Sequence, residues 1–128
     1  MRKDIVALIL EENGKFLVEK RKQSKSTSPG DLIFPAGHVE NGETKEEALK
    51  REMKEELNIE INNPQFVYKS NFDCEEQQTI FWYRCDSYKG SIQNREAEQL
   101  LWISPAETSL LTHQVSRDAL SAYFKEKL

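Results

Sequence analysis

Five charged residues in the run from Gly37 to Ile59 (GHVENGETKEEALKREMKEELNI) stand at spacings that suit chemistry: Glu43, Arg51, Glu52, Glu55 and Glu56. Carboxylates this close repel one another and raise one another's pKa unless something neutralises them. A hard divalent cation does so: Mg2+ prefers carboxylate, water and phosphate oxygens, and Mn2+ shares that preference. Arg51 sits one helical turn after Glu47 and one before Glu55, so it can brace the acids from their edge. The plain alternative is a Glu-rich solvated helix. The Gly-containing approach and the fixed place of Arg51 speak against it, and the cluster reads as a metal site.

The elements around the cluster must position it. Thr44-Lys45-Glu46-Glu47 has the form of a capping box, which predicts a helix with Thr44 as N-cap. Good helix formers fill the run to Leu57. At about 100° per residue, Leu49, Met53 and Leu57 share a core-facing stripe, and Glu52, Glu55 and Glu56 lie on a neighbouring arc. Asn58 can end the helix in the left-handed region. Gly37 permits both an unusual backbone conformation and a close approach, and Asn41-Gly42 is a turn that sets Glu43 just before the helix. His38 is expected at the surface or lining the site; hard Mg2+ would not choose it.

Upstream, Asp4 to Leu10 (DIVALIL) is a continuous apolar run, as in a strand buried on both faces. Glu12-Asn13-Gly14 is a turn signal, and Lys15 to Lys20 (KFLVEK) then reads as the second arm of a hairpin. The polar loop that follows, KRKQSKSTSPG, is either a solvated connector or a phosphate-facing loop. Arg21, directly after the strand, is its candidate phosphate ligand. Leu32 to Phe34 is a short strand stopped by Pro35.

Downstream, Ile59 to Ile61 is a short strand, and Phe66 to Phe72 and Thr79 to Cys85 form a hairpin. Phe81, Trp82 and Tyr83 must point to alternating faces, one of which can line a base pocket. Lys89-Gly90 turns the chain into a polar loop, and Leu100 to Ile103 is another strand. Ser104-Pro105 opens a short helix. A final helix is expected from Thr112 to Lys127, with Thr112 as N-cap and Val115, Ala119, Leu120, Ala122 and Phe124 on its packing side.

The 128 residues suffice for one domain, 1–128, with one core. No run approaches a membrane span, and the N-terminus has too short an apolar stretch for a signal peptide, so the cytoplasm is the default expectation. A net charge of −4 gives no global pull towards nucleic acid. Cys74 and Cys85 have neither CxxC nor Cys/His spacing and read as reduced thiols.

Gly37 to Ile59 fits G-x5-E-x7-R-E-U-x-E-E-x-G-U (U apolar) with one departure, Asn58 in place of the second glycine. In this it resembles the Nudix box of the Nudix hydrolases. Six fixed letters would coincide by chance in on the order of one window in ten million, which favours the family over a solvated helix. The strand order and LLWIS extend the resemblance over most of the chain. It implies the Nudix fold, an α/β/α sandwich with a mixed β-sheet, of MutT-like layout. It also implies Mg2+-dependent hydrolysis of a nucleoside diphosphate linked to another group.

By that resemblance Glu52, Glu55 and Glu56 are metal ligands, joined by the carbonyl of Ala36; Arg51 orients them and Glu43 supports them. Glu52 is alternatively the residue that takes the proton from water. The loop before LLWI offers Glu98, and after it Glu96, as a further metal or base residue. His113, with Gln114 next to it, aligns with an amide that reads the base in MutT-type proteins; the alternative is ordinary helix-start chemistry. Marks of coenzyme A, ADP-ribose and dinucleoside-polyphosphate hydrolases are absent. The expected substrate is therefore a nucleoside triphosphate, oxidised or noncanonical ones included, cleaved to monophosphate and pyrophosphate. A dinucleoside polyphosphate or nucleotide-sugar hydrolase, or a non-catalytic nucleotide-binding module, are the alternatives. The expected assembly is a monomer or homodimer.

Overall fold

Strand β1 (Lys3–Leu8) sorts the core of the protein, whose computed structural model describes residues 1–128. Its side chains alternate: Ile5, Ala7 and then Ile9 pack in one buried layer, Val6, Leu8 and Leu10 in the other. Helix α1 (Lys45–Leu57) supplies Ala48, Leu49, Met53 and Leu57 to the second layer. Helix α2 (Gln114–Glu126) supplies Ala119, Leu120 and Tyr123 to the first. The strands lie between, so the architecture is the expected α/β/α sandwich.

The sheet is mixed. β1 runs parallel to β8 (Gln77–Arg84) and antiparallel to β5 (Ala36–His38), with Ala7 opposite Ala36 and Val6 opposite Gly37. β7 (Gln65–Asp73) completes the order β5-β1-β8-β7. A second group centres on β3 (Lys15–Lys20), flanked by β10 (Gln99–Ile103), the short β2 (Glu11–Glu12) and β4 (Leu32–Ile33). β6 (Glu60–Asn62) pairs with β9 (Ser87–Lys89), a strand that periodicity did not announce.

The capping chemistry of α1 is as expected. Thr44 Oγ1 accepts the Glu47 N–H at 3.1 Å, and Glu47 Oε1 accepts the Thr44 N–H at 2.8 Å. Asn58 lies at φ 60°, ψ 35°, and its N–H reaches the Lys54 carbonyl at 3.1 Å. It does the work of the absent glycine. The β7–β8 hairpin also forms, with its tip at Cys74 to Glu76.

Three expectations change. Lys15–Lys20 is the second arm of a hairpin around Asn13-Gly14, both at positive φ, but its first arm is the short β2 and not the apolar run of β1. The apolar run itself turns to β8, because a strand buried on both faces needs neighbours on both edges, not one hairpin partner. The final helix is capped by His113, since the Thr112 hydroxyl is taken by the Leu32 N–H at 2.9 Å. On that helix Tyr123 fills the core place expected of Phe124, which is 37% exposed.

Candidate active site

Gly37 of β5 faces the middle of α1 so closely that a β-carbon there would overlap the Glu52 carboxylate. Close approach is the whole reason for this glycine, because its φ is not among the positive ones. Beside it, Arg51 gathers the acids. Its Nε donates to Glu43 Oε2 at 2.7 Å and its Nη2 to Glu43 Oε1 at 3.0 Å, a bidentate pair. Nη1 donates to Glu52 Oε1 at 2.9 Å and Glu55 Oε2 at 3.2 Å, and Nη2 also to the His38 carbonyl at 3.0 Å. The Arg51 bonds, with the Glu40 N–H donating to Glu43 as well, hold the Glu43 carboxyl down to about 2. Glu43 ties the loop before α1 to the helix.

Glu56 is 7% exposed. Burial, with Glu52 and Glu19 close by, pushes its carboxyl far above the ordinary range. Glu19, on β3, is 2% exposed and is pushed up to about 7, again chiefly by burial. Glu96 also acts on both. It is ion-paired with Lys25, which lowers its own carboxyl. Glu52, Glu56, Glu19 and Glu96 therefore form one crowded group of like charge. Hard oxygen donors in like-charged excess fit a divalent cation of the Mg2+ type. They are not gathered into a ready cage: no three acidic, His or Cys side chains converge on one point, and Arg51 and Lys25 take up part of the charge.

A cavity of about 380 Å3 opens beside this group. Its lining includes Glu52, Glu55, Glu56 and Glu96, with Ala36, Gly37 and His38. It also includes Phe34, Phe72, Ile80, Trp82 and Val115, with Gln78, His113 and Ser116 as further polar groups. The loop after β3 passes over it: Arg21 Nε donates to the Thr27 carbonyl at 2.9 Å, and the Ser28 N–H donates to Glu75 Oε1 at 2.9 Å. Arg21, Lys25 and Ser26 to Ser28 all line the cavity.

The structure thus brings Glu52, Glu55, Glu56, Ala36, Arg21 and His113 to one cavity, with Arg51 and Glu43 bracing it from behind. It does not bring Glu98 or Gln114. Glu98 is exposed and outside the lining, where Glu96 takes its expected place. Gln114 is exposed and bonds Asp118 at 2.8 Å and Arg117 at 3.0 Å. His113 stacks on Phe72 at 4.5 Å between centroids, and its Nε2 lies 2.8 Å from Asp31 Oδ2. Of the aromatic run only Trp82 lines the cavity; Phe81 and Tyr83 face the α1 layer. Sequence reasoning passed over Glu19, Gln78, Phe34 and Phe72. A carboxylate ending the buried run Phe16-Leu17-Val18 was the one signal that pointed to Glu19.

The NUDIX domain family model matches residues 1–124. A CTP pyrophosphohydrolase of Escherichia coli (strain K12) is 33% identical over 81% of this chain and 77% of its own length. An 8-oxo-dGTP diphosphatase of Haemophilus influenzae is 30% identical over 75% of this chain and 71% of its own length. Among solved structures, the E. coli ORF135 protein superposes with a TM-score of 0.81 at 26% identity, covering 98% of this chain and 91% of that one. A MutT protein from Methanosarcina mazei Go1 reaches a TM-score of 0.85 at 22% identity, covering 98% and 95%. With its box acids, its bracing arginine and its sandwich all in place, the chain belongs to the Nudix hydrolases and is an enzyme of that family.

Proposed function

We propose that the protein hydrolyses a nucleoside triphosphate to its monophosphate and pyrophosphate, using Mg2+ or Mn2+. The observation that carries the reading is one cavity whose lining combines four carboxylates with aromatic side chains. The carboxylates suit a cation with phosphates, and the aromatic groups suit a base. Relatives named for CTP and 8-oxo-dGTP support the same substrate class. The reading takes residues 1–128 as one domain and a free cytoplasmic nucleotide as its partner.

Nudix hydrolases generally work with a divalent metal. Here Glu52, Glu55 and Glu56 would hold it, with the Ala36 carbonyl beside them. When bound, the cation screens phosphate charge. The protein's own groups do the rest. Arg51 and Glu43 keep the acids in place. Glu52 or Glu96 accepts the proton of the attacking water, with Glu98 the more distant choice. Arg21 and Lys25 neutralise phosphate once released from Thr27 and Glu96. Phe72, Phe34 and Trp82 enclose the base, and His113 reads its edge.

A product-resolved screen of nucleoside triphosphates, dinucleoside polyphosphates and nucleotide sugars with Mg2+ or Mn2+ tests the reading. Triphosphates should lead in kcat/KM and release pyrophosphate. Glu52→Gln should lower kcat by about 10²-fold or more with the fold intact. Tight nucleotide binding without turnover across the panel would overturn it.

A further inference from the structure

Glu19 Oε2 is the one buried side-chain oxygen or nitrogen in the chain without a hydrogen-bond partner. The residue is almost wholly enclosed, and the strand sets its direction. On β3, Phe16 and Val18 face the α2 layer and Leu17 the α1 layer, so Glu19 faces α1 as well. Its cross-strand partner Leu100 packs on the α1 layer too. An apolar side chain at position 19 would continue that layer. The chain instead places a carboxylate there, with Arg21, Glu96, Lys25 and Glu52 as its charged surroundings and Glu56 beside it.

Burying a carboxylate oxygen with nothing to bond is costly, and natural structures keep such groups paired or on metals. Arg21 does not pair with it: its bonds go to Thr27, at 2.9 Å to the carbonyl and 3.1 Å to Oγ1. Lys25 goes to Glu96. Neither cation therefore bonds the orphaned oxygen, and Glu96, Glu52 and Glu56 are its acidic neighbours.

We propose that Glu19 is an additional protein ligand of the divalent site, alongside Glu56 and Glu96. The proposal rests on the metal-dependent reading above. A cation gives Oε2 its missing partner and offsets the repulsion among the four acids in one step. Glu19 does not itself line the cavity, so as a ligand it would leave the lining groups free to face phosphate.

Direct Mn2+ titration, following free Mn2+ by electron paramagnetic resonance, tests this in wild type, Glu19→Gln, Glu52→Gln and Glu56→Gln without nucleotide. Glu19→Gln should weaken Mn2+ at least ~10-fold or remove one bound equivalent. Its metal-free melting temperature should be no lower than that of wild type. Wild-type affinity and stoichiometry in Glu19→Gln, with loss in Glu52→Gln and Glu56→Gln, would overturn the proposal and leave the metal reading standing. No Mn2+ binding even by wild type would overturn both. Should Glu19→Gln not fold, wild-type crystals soaked in Mn2+ decide. An anomalous peak within about 2.6 Å of a Glu19 carboxylate oxygen supports the proposal. A peak held only by Glu52, Glu55, Glu56 or Glu96 overturns it.

Discussion

Gly37 lies against the Glu52 carboxylate with no room for a β-carbon between them. The obstructing atoms are the far end of a flexible side chain, so the fold can yield by moving Glu52 and little else. Gly37→Ala should therefore cost about 1 kcal/mol of stability or less. It should cost far more activity, because displacing a site group by about 1 Å is worth roughly 10²-fold. Thermal melts beside kcat and Mn2+ affinity check this. A large melting-temperature loss with activity retained in the folded fraction would contradict it.

Glu96 and Glu98 stand two residues apart, yet only Glu96 lines the cavity. Glu96→Gln should lower kcat by about 10²-fold, as loss of a general base or ligand does. Glu98→Gln should stay within about twofold of wild type, as exposed substitutions usually do. Steady-state kinetics of the two variants side by side decide it.

His113 stacks on Phe72 and is bonded to Asp31, whereas Gln114 bonds only its helix neighbours. Removing a hydrogen-bonding group from a base site costs about 1–3 kcal/mol for the right substrate and little for the wrong one. His113→Ala should thus compress the kcat/KM ratio between best and next-best nucleotide by roughly 5- to 150-fold. Gln114→Ala should leave the ratio unchanged. Competition assays with paired nucleotides measure both.

The metal-free protein should lose stability as pH rises from about 4.5 to 7, opposite to the usual carboxylate behaviour. Glu19 is held up to about 7 in the fold against an ordinary 4.5. The folded state keeps its proton longer than the unfolded chain, so the stabilisation is whole below 4.5 and gone above 7, roughly 3 kcal/mol in all. The charged groups around it are Arg21, Lys25, Glu52, Glu56 and Glu96, and Glu56 shifts in the same direction. Glu43 does the reverse: held down to about 2, its contribution is lost as pH falls from 4.5 through 2. Melting temperature in EDTA should therefore peak near pH 4.5 and fall towards neutrality. Glu19→Gln should make the fall shallower, Glu56 supplying what remains, and saturating Mg2+ should reverse it.

The sequence by itself determined the parts whose physics is local. The Thr44–Glu47 box and the Asn58 cap bond partners within five residues, and the Leu49-Met53-Leu57 stripe repeats with the helix, so α1 and the order of its acids were legible from spacing. The β7–β8 hairpin was legible for the same reason, its partners meeting across a short polar tip.

Only the tertiary structure decided which distant residues share the cavity. Parallel pairing of β1 with β8 has no turn to announce it, so nothing local says that Ile5 stands opposite Ile80 or that Trp82, not Phe81, faces the cavity. His113 reaches Asp31 and Phe72 only because α2 packs across β7. Glu96 outranks Glu98 because the loop before β10 turns one of them inwards and leaves the other in water. Glu19 looked like the polar end of a strand. Its strand lies under α1, and the alternation that buries Leu17 buries the carboxylate with it.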